Sequence, residues 1–139
     1  MIKKKIEPFL EAARQVATRS SMLHRHGCVI VHEGQIIAKA CNVSCCAPSA
    51  SGPWSVHAEV NAIRKVKSRR ILAQCDMYIV RIGPERAGFP LKMSKPCQHC
   101  RAVIQEVGVR TVFYSWDANH YPGRFPSILQ SNDRETPVD

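Results

Sequence analysis

No apolar run in this chain approaches the twenty or so residues that a membrane-spanning helix requires, so none of it is expected to cross a bilayer. The opening Met1-Ile2-Lys3-Lys4-Lys5-Ile6-Glu7 is charged but has no apolar stretch behind it. No secretory signal is read there, and an intracellular protein, cytoplasmic or nuclear, is expected. Internal repeats and low-complexity segments are absent. An even cysteine count is missing too: there are seven, and Cys45 and Cys46 are adjacent and poor partners for one disulfide. That usage fits a metal site in a reducing compartment better than a disulfide framework. Acidic residues are scarce, 11 against 20 Lys and Arg, which leaves a net charge of +9. The excess favours anions, whether nucleotides, nucleic acid or acidic partners, and charge alone does not choose among them. The 139 residues read as one domain, 1–139, large enough to bury its own core.

What is present is an alternation of helical and strand patterns. Ile6, Phe9, Leu10, Ala13, Val16 and Ala17 follow helical spacing, predicting an amphipathic helix from Ile6 to Arg19. The stretch 18–27 is polar and basic, and His24 and His26 are read as loop residues or, less simply, as metal ligands. Cys28–Val31 and Gln35–Ala40 are β-rich runs about Glu33-Gly34, predicting a hairpin. Residues 43–55 form a loop dense in Ser, Pro, Gly and Cys, and a helix is predicted from Ser55 to Lys67. Met77–Ile82 is the third strand, buried on both sides if helices cover the sheet. A helix from Cys97 to Val107 ends at Gly108, a natural C-cap, and Thr111–Trp116 is the fourth strand. A helix between strands three and four makes them parallel. The tail from about 117 is turn-rich and irregular, too weak in pattern for a firm fifth strand. Besides Lys3 to Lys5, the cations gather at Arg64, Lys65, Lys67, Arg69 and Arg70. These are either a solvated helix end that complements the dipole or a phosphate track.

Two short stretches carry the chemistry. His57-Ala58-Glu59 opens the helix after the loop, and Pro96-Cys97-Gln98-His99-Cys100 opens the later one. One imidazole and two thiolates suit a zinc ion that keeps its fourth position open to water. Two thiolates cancel the charge of Zn²⁺, so water there is acidified less than beside three histidines, and a nearby base is needed. Glu59 is the carboxylate sited for that. Pro96 suits a first helical turn, and Cys97 and Cys100 then lie one turn apart, where the dipole favours thiolate. A C-x-x-C alone also fits a redox pair or half of a structural zinc site. His99 is a fourth ligand candidate, awkwardly placed between the two cysteines.

H-x-E followed by P-C-x-x-C is the signature of zinc nucleobase deaminases, and the chain resembles the cytidine and deoxycytidylate deaminase family. The resemblance implies an α/β, three-layer cytidine deaminase-like fold, a mixed sheet of four to five strands with helices on both faces. It implies a zinc-dependent hydrolase that converts cytosine to uracil in a nucleoside or nucleotide, with His57, Cys97 and Cys100 as metal ligands and Glu59 moving protons. One catalytic zinc is expected. A second, structural ion on Cys41, Cys45, Cys46 and a histidine is the lesser reading. Asn61-Ala62-Ile63 after the motif is similar to the deoxycytidylate branch. Asn61 itself reads as a structural hydrogen-bonding residue. The family's sugar-contacting asparagine matches Asn42, which is otherwise a turn former. Backbone groups beside Ala58 would fix the ring's polar edge, as in the family. Trp54 either walls the pocket and stacks on a base or closes the core. In typical members the cysteine motif follows the third strand almost at once. Here 83–95 intervenes, either as an inert excursion or as a flap bringing Arg86, Lys92 and Lys95 to a phosphate. The charge and Trp54 also motivate the alternative of cytosine, or adenine, within single-stranded DNA or RNA. A catalytically silent zinc module is the third reading. The weak C-terminal edge is one that another subunit would complete, and a homo-oligomer is expected.

Overall fold

The computed structural model describes residues 2–45, 54–116, 123–126 and 136–137, with side chains over 6–44 and 55–116. Cys46 and the side chains of Cys45 and Trp54 lie outside the described residues, and with them the readings that rest on those groups. The chain opens on α1 (Ile2–Ala17), whose Ile6, Leu10, Ala13, Val16 and Ala17 form the buried face that the spacing predicts. Strands β1 (Arg25–His32) and β2 (Gln35–Cys41) form the expected hairpin. Its turn residues Glu33 and Gly34 have φ of 50° and 78°, the twist that two-residue hairpin loops require. β1 begins at Arg25, so His26 stands in a strand and not in a loop.

The stretch read as a plain loop holds a two-stranded ribbon, β3 (Val43–Cys45) with β4 (Trp54–Val56). Because 54–56 is extended in that ribbon, the following helix α2 starts at Ala58 rather than Ser55, and it ends at Lys65. One turn, α3 (Arg69–Leu72), is capped by Ser68, whose Oγ accepts from the Ile71 N–H. Then come β5 (Asp76–Ile82), a 3₁₀ turn at Glu85–Ala87, β6 (Leu91–Lys92), α4 (Gln98–Val107) and β7 (Thr111–Tyr114). Gly108 caps α4 at φ 80°, as its sequence suggests. A fifth long strand, β8 (Gly123–Pro126), and the short β9 (Thr136–Pro137) follow. β8 was obscured in sequence because Gly and Pro bracket only two strand-forming residues; Pro126 is tolerated at a strand end.

The sheet runs β2-β1-β5-β7-β8-β9, and β6 pairs with the end of β5 beyond β7. Among the described strands only β5 and β7 are parallel, as the helix between them dictates; the other pairs are antiparallel. Alternation divides the interior in two. Cys28, Ile30, Met77 and Ile79 point to one face and pack with Ala58, Ala62, Ile63 and Ile104 of α2 and α4. Val29, Val31, Tyr78, Val80 and Ile82 point to the other and pack under α1. Helices therefore cover both faces of a mixed sheet. Tyr78 stacks on Phe113 at 4.8 Å within the α1 layer.

The α1 layer approaches at Gly27. A Cβ there would fall on the carbonyl oxygen of Ala13 and within 2.6 Å of the Ala17 nitrogen. Backbone cannot yield as a side-chain tip can, so Gly27→Ala is expected to cost about 3 kcal/mol. Gly34→Ala, where φ is positive but space is open, should cost only about 1 kcal/mol. Urea unfolding of both variants measures this; equal losses would remove the close approach as the reason for glycine at 27.

Candidate metal centre

Helices α2 and α4 lie on the same face of the sheet, and each presents its first turn to one point. His57 and Cys97 are the N-caps of these helices, both in extended backbone, and neither side chain caps its own helix. Their imidazole and thiol are thereby left for another partner. Pro96 thus precedes the cap instead of occupying the first turn. Cys100, in the first turn of α4, is fully buried, whereas Cys97 is exposed.

The three ligand atoms lie within 4.8 Å of one another. The Nδ1 of His57 is 3.1 Å from Cys100 Sγ and 3.7 Å from Cys97 Sγ. Tetrahedral zinc with ordinary bond lengths separates nitrogen and sulfur ligands by about 3.6 Å. The observed spacings bracket that value, and the donor set of one imidazole and two sulfurs is the one zinc takes when a position stays open. The residues fit a zinc ion held through Nδ1 of His57. His99 is exposed and stands outside this cluster, which removes it as a fourth ligand. Burial, then the charge of Glu59, pushes the Cys100 thiol up. A cation must displace that proton for the sulfur to ligate, so metal affinity should rise with pH.

Glu59 is 4% exposed, two residues past the metal-side cap of α2. Burial raises its carboxyl pKa, opposed by its own backbone N–H, by the Cys100 thiol and by His57. It opens onto a cavity of about 320 Å³ that also meets His57 and Cys97. Asn42 lines the same cavity, 6% exposed. Its Oδ1 accepts the His26 N–H at 2.8 Å, and its Nδ2 donates to the His24 carbonyl at 2.6 Å and meets Met22 Sδ at 3.4 Å. The amide thus fastens the entry to β1, and one Oδ1 lone pair remains. Ala58 is fully buried beside the cavity. Asn61 donates to the Cys41 carbonyl at 2.9 Å, tying α2 to β2.

Sequence reasoning missed several wall residues, His26, His24 and Ser94 among them. His26 points from β1 into the cavity, and His24 also lines it. Ser94, buried, donates to the Ile79 carbonyl at 2.9 Å, while Ser115 Oγ donates to the Lys92 carbonyl at 2.7 Å and accepts the Arg81 N–H at 3.2 Å. This serine pair fixes the approach to the cysteine motif, so 83–95 is an anchored hairpin. Arg14 reinforces it from α1, donating to the Gly88 carbonyl at 2.8 Å and the Phe89 carbonyl at 3.2 Å. Pairing across 21 residues leaves no local pattern, although a serine three residues before a metal ligand was the available cue.

Burial, then Arg81, lowers the pKa of His26 to about 4, against an ordinary 6.5. The unfolded chain therefore binds this proton first, and stability is lost as pH falls from 6.5 through 4. His26→Gln should remove up to about 3 kcal/mol of that acid loss. Urea midpoints of both proteins at pH 7 and pH 4 measure it, and parallel acid losses would contradict it.

The cations at the end of α2, read either as a solvated helix end or as a phosphate track, lie away from the metal-side cavity. Lys65 Nζ donates to the Lys39 carbonyl at 2.8 Å and Arg69 approaches Glu106 at 3.9 Å. None of Arg64, Lys65, Lys67, Arg69 and Arg70 lines the metal-side cavity. Among the described residues no helix is long and apolar enough to cross a membrane.

Comparison with known proteins agrees with this construction. A cytidine deaminase from Burkholderia pseudomallei superposes with TM-score 0.64 at 17% identity, covering 86% of this chain and 91% of that one. The dCMP deaminase of cyanophage S-TIM5, apo form, gives 0.53 at 23%, covering 81% of each chain. Its complex with dCMP and dUMP gives 0.52 at 20%. RibD of Acinetobacter baumannii gives 0.54 at 21%, over 80% of this chain, which spans 28% of RibD. These likenesses establish a shared fold. No curated protein matches the chain by sequence. The model for the cytidine and deoxycytidylate deaminase zinc-binding region matches residues 3–116, a span that includes every metal-ligand candidate and Glu59. The chain belongs to the cytidine and deoxycytidylate deaminase family.

Proposed function

We propose that the protein hydrolytically deaminates cytosine to uracil in a cytidine or deoxycytidine nucleoside or nucleotide. The observation that carries this is a buried carboxylate, Glu59, sharing one cavity with His57 and Cys97 of the metal-ligand cluster. His57, Cys97 and Cys100 would hold zinc, and when bound it supplies an acidified water as the nucleophile. Glu59 takes one proton of that water and delivers it to N3 of the ring, then takes the remaining proton from the hydroxyl added at C4 and delivers it to the departing amine. A raised carboxyl pKa suits a group that must hold the proton between those transfers. Water adds to C4, the C4–N bond breaks and ammonia leaves.

The remaining groups position the base. The free Oδ1 lone pair of Asn42 accepts a sugar hydroxyl, while its other bonds keep His24 and His26 in the wall. The backbone at buried Ala58 meets the polar edge of the ring. At about 320 Å³ the cavity is at the small end for ligand sites and suits one nucleoside. The S-TIM5 enzyme's complex with dCMP and dUMP supports a nucleotide of this kind. Incubation of zinc-loaded protein with deoxycytidine and with dCMP, followed by chromatography of the products, tests the proposal. Uracil product from either is expected; no product from either overturns it.

A further inference from the structure

The register of the sheet places cations beside the catalytic cavity. His26 on β1 stands opposite Arg81 on β5, and Arg81 stands opposite Lys92 on β6. Directly paired residues share a face, so His26, Arg81 and Lys92 form one row on the metal-bearing face, beginning at the cavity wall. Beyond that wall lies a second, larger groove of about 770 Å³. Arg81, Lys92, Arg86 and Arg25 line it, with Glu85 as the one acid among the described residues. The two cavities share Met22, Leu23 and His24, so a chain leaving one enters the other.

Three further observations bear on the occupant. Among the described residues no carboxylate forms an ion pair with any of these four cations, whereas Arg14, Arg69 and Arg110 each pair with an acid. The Arg81 guanidinium meets an imidazole, at 3.0 Å from His24 Nδ1, and Arg25 lies over the Phe89 ring at 5.7 Å. Leu23, at the junction, is 91% exposed. The hairpin that supplies Arg86 and Lys92 is held by the serine pair and by Arg14, so the charges stand on a fixed support.

We propose that this groove holds successive phosphates of a single-stranded oligonucleotide whose target base occupies the metal-side cavity. The inference rests on the base reacting in that cavity. One phosphate needs one or two cations, and the groove offers four in more than twice the volume of the nucleoside site. Leu23 gives the neighbouring base an apolar contact where the chain turns out of the cavity.

Fluorescence anisotropy with a labelled cytosine-containing oligonucleotide, read across a salt series, tests this. The double variant R86Q/K92Q changes two exposed side chains, and K67Q/R70Q, beyond α2 and in α3, is the charge-matched control. Expected is about tenfold weaker binding for R86Q/K92Q, with the slope of log K against log salt reduced by about 1.4, and little change for the control. Equal losses in both variants would mean a diffuse attraction and overturn the groove. Binding of dCMP weakened by R86Q/K92Q with no oligonucleotide binding would assign a single phosphate and overturn the strand. The readout is binding, so oligonucleotide held in the groove without product would count against the deaminase reading alone. Deoxycytidine turnover without oligonucleotide binding would count against the groove alone.

Discussion

Glu59→Gln is expected to retain one zinc per chain and to lose 10²- to 10⁴-fold in kcat, the range that a positioned acid–base group supplies. The side chain is buried at the head of α2, held by its own backbone N–H and in contact with Cys100. Glutamine keeps the size and one acceptor, so the cavity should survive, but it cannot take a proton from water. The metal ligands lie on the neighbouring cap and on α4, and none is disturbed. Elemental analysis beside steady-state kinetics separates the two effects. A variant within tenfold of the parent would assign the proton transfers to another group, and loss of zinc would make Glu59 a supporting residue instead.

Cys100→Ala should abolish both zinc retention and turnover, and it should also lower thermal stability. Cys100 is the buried ligand, 3.1 Å from the Nδ1 of His57, and it joins the first turn of α4 to the cap of α2. An ion at this point cross-links residue 57 to residues 97–100, two segments that otherwise meet only through side-chain packing. At a free metal concentration one hundred times Kd, occupancy contributes about 2.7 kcal/mol, or roughly 10 °C in Tm for a chain of this length. The same drop should follow chelation of the parent protein and be reversed by added zinc. Calorimetry checks both; a chelator that strips the metal without moving Tm would show that α2 and α4 are fixed without it.

The sequence made the metal cluster legible because its chemistry is local: His57 and Glu59 sit two apart, and Cys97 and Cys100 one helical turn apart. The hairpin at Glu33-Gly34 and the parallel pairing of β5 and β7 were readable for the same reason, since turn residues and an intervening helix leave short-range marks. What escaped depends on distant partners. His26 looked like loop because its strand character comes from pairing with Arg81, 55 positions on. The start of α2 was placed too early because Trp54–Val56 is extended only by virtue of β3. Ser94 and Ser115 are ordinary polar residues until the sheet brings their hydroxyls to 2.9 Å. The insertion 83–95 offered cations with no indication of where they would stand, and register alone set Lys92 beside Arg81.

The contact between Gly27 and the backbone of α1 has a consequence for interpreting damage to this protein. Gly27 separates His26, in the cavity wall, from Cys28, in the core beneath α2, although it faces the opposite side of the sheet. A bulkier residue at Ala13 or Ala17 would push on the strand from behind and shift the imidazole in front. Genetic lesions on that rear surface would then register as faults in catalysis, with every metal ligand intact.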